Sequence, residues 1–213
     1  MNDDTLRERI VHTARAMNAL GINQGKSGNV SARVEGGFLV TPSGIPYEHL
    51  LPVDLVHVGL DGQASGPREP SSEWRFHRDI YRTRPEAGAV VHTHSSYATT
   101  FACLGRAIPP FHYEVAFAGG KDIRCAPYRT FGTQELSDVA LAALEGRRAC
   151  LLAQHGAIAF GTDLADALRL ADKVEHLARI YWQALQVGEP PLLSDGEMDL
   201  MAERFRHYGP RPA

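Results

Sequence analysis

Three histidines stand at the ends of apolar runs, in a spacing suited to metal chemistry. His92 and His94 close the segment that begins with Val90-Val91, and His155 follows the apolar run 149–153. Side chains alternate along a strand, so His92 and His94 point to the same face. Three imidazoles with a nearby carboxylate are typical of a catalytic zinc that keeps one position open. The pattern predicts a metal site for zinc or another divalent ion. An ordinary cleft with a polar rim is the alternative.

Glu73 is the carboxylate that the sequence offers to this site. It is predicted in the first turn of a helix, where a glutamate is commonly only a partner of the helix dipole. Beside a metal, the same carboxylate can be a ligand and, once substrate displaces it, a general base. The residues alone leave both interpretations open.

Three short segments combine glycine or small residues with hydroxyl or amide donors, and they are candidate anion-binding sites. None has the spacing of a P-loop, and each is also typical of a turn or a helix cap. The segment before Glu73 is predicted at a helix N-terminus, where free N–H groups and the helix dipole favour a phosphate. The candidate residues are Gly28, Asn29, Ser43, Gly44, Ser71 and Ser72.

Tyr113 and Tyr208 are candidate general acids, although tyrosines in a strand or near a chain end usually serve packing. The sequence contains no GxSxG elbow, dinucleotide fingerprint or Walker motif. Nothing in it therefore indicates hydride transfer or nucleotide hydrolysis.

Apolar spacing and turn signals predict one α/β domain over residues 1–213. Predicted helices flank strands joined largely by hairpins, so we expect a mainly antiparallel central sheet with helices packed around it. Strands are predicted at 30–34, 37–41, 55–60, 89–93, 111–117 and 123–126, and on both sides of His155. Helices are predicted at 4–20, from 73 to about 82 with Ser71 or Ser72 as its cap, after Ser95, from Thr133 to 145, from Asp163, and from Ser194 to near Tyr208.

The composition is that of an ordinary globular protein, with 44% hydrophobic and 22% charged residues. A formal net charge of -3 gives no electrostatic reason to expect nucleic acid or an anionic membrane as a partner. The acidic start Asn2-Asp3-Asp4 is unlike a signal peptide, and no apolar run approaches the length of a membrane span. A cytoplasmic protein is expected.

Taken together, these motifs resemble the class II, zinc-dependent aldolases of the aldolase/adducin superfamily, and within it the fuculose-phosphate aldolases. The resemblance covers nearly the whole chain. Its motifs are 23–25 with 28–31, 41–47, 70–77, 92–94, 125–128 with 131–133, 193–195 and 208–209. It implies a single α/β/α domain of the class II aldolase/adducin type.

The resemblance implies that His92, His94 and His155 hold Zn²⁺, or another divalent ion such as Mn²⁺ or Co²⁺, with Glu73 as a ligand and acid/base. It also implies that the candidate anion-binding residues form a cradle for the substrate phosphate. Lys26 is a departure, because relatives usually carry a small residue there.

A homotetramer with active sites at the subunit interfaces is the assembly that the resemblance implies. Tyr113 would act from a neighbouring subunit, and Tyr208 would help to close the site.

The implied reaction is cleavage of a ketose 1-phosphate into dihydroxyacetone phosphate and an aldehyde. The substrate would be L-fuculose 1-phosphate or a 5-deoxy- or 5-methylthio-ribulose 1-phosphate. Two alternatives share the scaffold: a methylthioribulose-1-phosphate dehydratase and a ribulose-5-phosphate 4-epimerase, although Gly119-Gly120 stand where epimerases place an acidic residue. A non-catalytic, adducin-like interaction module is the alternative from another class, and the complete set of three histidines with Glu73 argues against it.

Overall fold

A computed structural model describes residues 3–206 of the protein. The strands are β1 (Asn29–Val34), β2 (Gly37–Val40), β3 (Val56–Gly59), β4 (Ala64–Ser65), β5 (Ala89–Thr93), β6 (Cys125–Ala126), β7 (Ala149–Leu152) and β8 (Gly156–Gly161). The α-helices are α1 (Asp3–Ala19), α2 (Trp74–Thr83), α3 (Ser96–Cys103), α4 (Gln134–Ala143), α5 (Leu164–Val187) and α6 (Asp195–Arg206). Two 3₁₀ helices span Pro52–Asp54 and Tyr113–Ala118.

All the strands lie in one sheet, in the order β4-β3-β2-β1-β5-β8-β7-β6. Neighbouring strands are antiparallel except β6 and β7, which are parallel. The predicted mainly antiparallel sheet is therefore confirmed. The register sets Asn29 of β1 opposite His92 of β5, so that these two side chains share one face of the sheet.

Both faces of the sheet are covered by helices, which gives three layers. Along β5, Ala89 and Val91 belong to the core shared with α1, α3 and α5, whereas Val90 belongs to the core shared with α2 and α4. Alternation carries His92 to the second face, where it meets Phe76 of α2 edge-on. The α/β/α architecture predicted for a single domain is confirmed.

Several helices begin at the predicted caps. Thr133 and Asp163 accept a hydrogen bond from a backbone N–H in the first turn of α4 and α5, and Ser194 does the same for α6. These caps satisfy donors that a helix cannot pair internally. The predicted end of the last helix, near Tyr208, lies outside the described residues.

Helix α3 is capped from another part of the chain. Ser95 occupies the predicted position but makes no side-chain cap bond. Instead, the Glu175 carboxylate of α5 accepts hydrogen bonds from the N–H groups of Tyr97 and Ala98, at 2.8 to 3.1 Å. A negative charge at this end of a helix is favourable.

The strand predicted at 111–117 was wrong, because this segment contains the 3₁₀ helix Tyr113–Ala118. Its aromatic and apolar residues alternate as in a strand. However, Val115 and Ala118, three residues apart, are buried together, which suits the period of a 3₁₀ helix. Gly119 ends the helix with a φ of 92°, a conformation that favours glycine.

The predicted cap of α2 was also wrong. The helix begins at Trp74, and Glu73 takes the N-cap position without a side-chain cap bond. Ser71 forms the preceding turn: its carbonyl accepts from the Trp74 N–H at 3.1 Å, and its hydroxyl accepts from the Glu73 N–H at 3.3 Å. Glu73 thus lies just before the helix, not in its first turn.

Two strand predictions differ in detail. The strand predicted at 123–126 is shorter, because only Cys125–Ala126 pair with β7, while Ile123 forms an isolated bridge to Ile108. The two-residue strand β4 was not predicted. Within residues 3–206, no helix combines the length and apolar character needed to cross a bilayer.

Candidate metal centre and anion cradle

The three predicted histidines converge at one end of the central strands. His92 and His94 come from the end of β5, and His155 lies in the turn between β7 and β8, of which β8 is paired with β5. Their ring centroids are 4.8 to 4.9 Å apart. The structure thus brings together residues that are more than sixty positions apart in the sequence.

Glu73 reaches the same point from the start of α2. Its Oε2 lies 3.1 Å from Nε2 of His92, and its Oε1 lies 3.1 Å from Nε2 of His155. Oε1 is buried and has no hydrogen-bond partner among the described residues. A buried carboxylate oxygen without a donor indicates a missing positive partner.

The tautomer of His92 shows that these side chains suit a cation. Nδ1 of His92 lies 2.9 Å from the carbonyl oxygen of Ala157, so Nδ1 carries the hydrogen. In the neutral form of the ring, Nε2 is then the nitrogen with the lone pair, and it faces Nε2 of His94 at 2.9 Å and Oε2 of Glu73. Converging lone pairs repel each other unless a cation lies among them. The four side chains form a possible His₃Glu metal site, with ligand atoms within 4.8 Å of one another.

The pKa values of His94 and Glu73 are both shifted in the direction that a metal requires. Burial, with the charges of His92 and His155, lowers the pKa of His94 to about 3, so its imidazole is neutral near pH 7. Burial alone would raise the pKa of Glu73, but the adjacent His92 and His155 outweigh it and hold that pKa well below its usual range. A neutral His94 imidazole beside the ionised Glu73 carboxylate suits metal binding, because ligands must be deprotonated.

Close packing in the hairpin between β7 and β8 fixes His155. Gln154 has a φ of 57°, the left-handed conformation, and its N–H donates to the carbonyl of Ala102. A Cβ on Gly156 would lie 2.3 Å from the carbonyl oxygen of Thr93. Only glycine lets this hairpin approach β5 closely enough to hold His155 beside His94.

The candidate anion-binding residues form two groups. Ser43 and Ser72 are exposed and in contact: the Ser43 hydroxyl donates to the carbonyl of Pro70 at 2.9 Å and accepts from the Ser72 N–H at 3.1 Å. Gly44 is exposed beside them, with a φ of 82°, and its carbonyl accepts from Nζ of Lys26 at 3.2 Å. Ser71 is buried in the turn already described.

Gly28 and Asn29 are buried closer to the histidines. The Gly28 N–H donates to Oδ1 of Asn23 at 3.0 Å, and its carbonyl accepts from the Tyr47 hydroxyl. A Cβ at Gly28 would lie 2.3 Å from the carbonyl oxygen of His92. The Asn29 side chain donates to Oε2 of Glu73 at 3.0 Å. Asn29 therefore connects the predicted cradle to Glu73.

A cleft of about 400 Å³ opens over these groups. Exposed Tyr128 and Phe131 stand at its wall together with Arg129. Its lining is Ser27, Ser72, Glu73, His94, Tyr128, Arg129, Phe131, Gln154 and His155. Tyr128, Arg129 and Gln154 were not predicted as site residues, because their exposed loop positions carry no spacing signal.

Tyr113 is placed away from this cleft. It lies on the 3₁₀ helix, is 47% exposed and stacks on Phe205 of α6. It is absent from the lining of the cleft in the described chain. Tyr208, the other predicted tyrosine, lies outside the described residues.

Three further residues, buried behind Glu73, were not predicted as part of the site. Ser31, His77 and Tyr81 are at most 2% exposed and form a hydrogen-bonded chain that ends at Asn29. A signal was present, because Glu73, His77 and Tyr81 are spaced four residues apart and lie on one face of a helix.

Known proteins share the whole of this arrangement of elements. The family model described as "Class II Aldolase and Adducin N-terminal domain" matches residues 8–182. A 5-methylthioribulose-1-phosphate/5-deoxyribulose-1-phosphate aldolase of Rhodospirillum rubrum is 54% identical over 204 residues, 96% of this chain and 92% of its own length. An L-fuculose phosphate aldolase of Escherichia coli is 47% identical over 212 residues, 99% of both chains.

A solved structure agrees with the sequence comparisons. An L-fuculose 1-phosphate aldolase superposes with a TM-score of 0.92 at 40% identity, covering 95% of this chain and 96% of its own. The match to the family model spans most of the chain, including Glu73 and all three histidines. The chain therefore belongs to the class II aldolase and adducin N-terminal domain family.

Proposed function

We propose that this protein is a metal-dependent aldolase that cleaves a ketose 1-phosphate into dihydroxyacetone phosphate and an aldehyde. The observation that carries the proposal is the convergence of three imidazoles and Glu73 beside a cleft with exposed hydroxyl groups. A non-catalytic interaction module has no use for a buried ligand set of this kind.

The relatives support the substrate class. Those named above act, by their names, on 5-methylthioribulose 1-phosphate, 5-deoxyribulose 1-phosphate or L-fuculose phosphate. A ketose 1-phosphate has its carbonyl at C2 and a hydroxyl at C4, so a reverse aldol step breaks the C3–C4 bond. The names do not favour the dehydratase or the epimerase.

Zn²⁺ is the metal that we assign to His92, His94, His155 and Glu73. Nitrogen ligands with one carboxylate suit zinc, and Mn²⁺ or Co²⁺ can bind the same atoms. When bound, the metal supplies Lewis-acid stabilisation for the negative charge that develops on the substrate.

The cradle residues orient the substrate. The Ser72 hydroxyl, the backbone at Gly44 and Ser71 offer neutral donors to the phosphate, and the Ser43 hydroxyl offers another once it turns from the carbonyl of Pro70. Gly28 lets the backbone pass close to His92, and the second amide hydrogen of Asn29 remains for the substrate. This arrangement sets the phosphate at one end and the bond to be broken near Glu73.

Two side chains handle the protons. As the C3–C4 bond breaks, the hydroxyl on C4 loses its proton and becomes the carbonyl of the aldehyde; we assign that proton to Tyr113. Tyr113 passes that proton on to solvent. Glu73, which is ionised in the free protein, takes up a proton from solvent and delivers it to the electron pair left on C3, which yields dihydroxyacetone phosphate. Each proton that leaves the substrate is thereby matched by one that enters.

We assign Tyr113 to the active site of a neighbouring subunit of a homotetramer. Its exposed position on the 3₁₀ helix, outside the cleft of its own chain, supports this assignment. Tyr208 would close the same site from the end of the chain. Mixing Tyr113→Phe subunits with Glu73→Gln subunits tests the arrangement, since mixed tetramers should regain part of the activity that each variant lacks.

The decisive experiment follows both metal and product. Chelation should abolish release of dihydroxyacetone phosphate, and added zinc should restore it. Activity that resists chelation would remove the metal mechanism. Consumption of the sugar phosphate without dihydroxyacetone phosphate would favour the dehydratase or epimerase, and a chain that binds no metal would favour the interaction module. Condensing dihydroxyacetone phosphate with lactaldehyde, acetaldehyde, glycolaldehyde and methylthioacetaldehyde then ranks the substrates.

A further inference from the structure

A buried series of hydrogen-bonded polar side chains leads to Glu73, alternating between β1 and the segment formed by Glu73 and α2. Its order is Tyr81, Ser31, His77, Asn29 and Glu73, with each neighbour on the other element. The spacing explains why the two elements interlock. Four residues advance a helix by about 6 Å, and two residues advance a strand by about 6.6 Å. Side chains at these intervals therefore remain in step along both elements.

Every contact in this chain has hydrogen-bond length. The hydroxyls of Tyr81 and Ser31 are 2.7 Å apart, and Oγ of Ser31 is 2.7 Å from Nδ1 of His77. Nε2 of His77 is 2.5 Å from Oδ1 of Asn29, whose Nδ2 is 3.0 Å from Oε2 of Glu73. All five side chains are at most 5% exposed.

The direction of every hydrogen bond follows from the carboxylate. A carboxylate only accepts, so Asn29 must donate its amide N–H to Glu73, which turns Oδ1 toward His77. Nε2 of His77 must then carry the hydrogen, and Nδ1 accepts from the Ser31 hydroxyl. The Ser31 oxygen in turn accepts from Tyr81. All the donors point toward Glu73.

We propose that His77, supported by Ser31 and Tyr81, is a positioning residue that fixes the Asn29 amide and thereby the orientation of the Glu73 carboxylate. An inverted Asn29 amide would set its oxygen against the carboxylate and its N–H against the protonated Nε2 of His77. Both of those contacts are repulsive, so the amide keeps the orientation described above. The rings of Phe38 and Phe76 pack against His77. The catalytic part of this proposal rests on the proposed aldolase function, whereas the tautomer of His77 does not.

The first test reads the tautomer directly, without activity. Long-range proton–nitrogen correlation spectra of the isotope-labelled, metal-free full-length chain should show His77 neutral, with its hydrogen on Nε2. The signal is assigned by its loss in His77→Gln. A hydrogen on Nδ1 would overturn the proposal. Ser31→Ala removes the donor to Nδ1 of His77, so the same spectrum should show a mixture of the two tautomers. An unchanged spectrum would also contradict the proposed series of hydrogen bonds.

The second test separates positioning from packing. His77→Gln keeps an N–H near Asn29, whereas His77→Leu keeps bulk without a donor. We expect kcat to fall about 10- to 100-fold in His77→Leu, with zinc content and KM changed less than about threefold, and His77→Gln to recover most of kcat. Tyr81→Phe removes only the distal hydroxyl and should lower kcat less. It provides the test if His77→Leu does not fold.

Equal kcat in His77→Leu and His77→Gln would reduce His77 to a packing residue. His57→Gln, on β3, is the matched control and should behave as the parent. If the parent protein itself releases no dihydroxyacetone phosphate, the aldolase proposal fails. The tautomer of His77 still shows whether the hydrogen bonds run in the proposed direction.

Discussion

The two halves of the site are built in opposite ways. In the metal half, Glu73 and His92 are 5% and 0% exposed, and each is held by partners on a different strand or helix. In the phosphate half, Ser43, Gly44 and Ser72 are exposed, and their groups bond to neighbouring turns. The proposed metal ligands thus lie at strand ends and at the start of a helix, whereas these proposed phosphate-binding residues lie in exposed turns.

This difference has an energetic meaning. A buried charged or polar group that loses its partner retains the full cost of its desolvation, whereas an exposed hydroxyl exchanges its partner for water at little cost. The metal half should therefore respond strongly and specifically to substitution. The phosphate half should respond weakly and mainly in substrate binding.

Glu73→Gln should produce the largest effect. It keeps the shape of the side chain but removes its ability to exchange a proton, so kcat should fall about 10²- to 10⁴-fold. Zinc content should remain near that of the parent, because three histidines still bind the ion. Glu69→Gln, an exposed change on the same segment, is the control. If Glu73→Gln kept the kcat of the parent, another residue would have to transfer the proton.

Acid should destabilise the metal-free protein through its buried histidines. Burial lowers the pKa of His77 from 6.5 to about 3, so in this window the unfolded chain binds a proton that the folded chain does not. The free energy of unfolding should fall as the pH drops from 6.5 toward 3, by roughly 1.4 kcal/mol per unit for this group. Urea titrations in chelator at several pH values measure the slope. His77→Gln should lower that slope, and an equal slope in the variant would contradict the expected burial of a neutral ring.

Ser43→Ala tests the exposed half. Loss of one neutral hydrogen bond to the phosphate should raise KM about 2- to 10-fold and leave kcat nearly unchanged. Initial rates over a range of ketose 1-phosphate concentrations check this. Ser65→Ala, exposed on β4, should have no effect. A large loss of kcat in Ser43→Ala would erase the contrast between the halves.

The smallest effect is expected at Gln154, on the exposed lip beside His155. Its left-handed φ of 57° is strained for a residue with a side chain. Gln154→Gly should leave stability unchanged or raise it by about 1 kcal/mol, while Gln154→Val should lower it and reduce zinc affinity. Thermal unfolding with and without zinc measures both. A stable, zinc-replete Gln154→Val would show that His155 does not depend on this turn.

Local patterns in the sequence predicted much of the fold. The caps Thr133 and Asp163 and the apolar run that leads into His92 were recognisable because each depends on neighbouring residues. The segment 111–117 was misassigned for the same reason: its alternation imitates a strand, and only tertiary packing shows that Val115 and Ala118 are buried together. The cap of α2 failed because Ser71 bonds within a turn of its own.

The metal residues were predicted because strand ends and histidine spacing are local signals. Which residues surround them was not predictable in the same way. The pairing of Asn29 with Glu73, and the chain through His77 to Tyr81, depend on the register between β1 and β5 and on how α2 lies across them. No pattern within one element encodes that contact.

The interlocking of β1 and α2 also restricts how the length of the chain can vary. A residue added within β1 would turn Asn29 and Ser31 to the opposite face of the sheet. A residue added between Glu73 and His77 would rotate the His77 side chain about the helix axis, relative to Glu73, by about 100°. An added residue at the exposed tip Glu35-Gly36 would disturb neither. Insertions and deletions should therefore be tolerated at the hairpin tip and eliminated from the two elements beside it.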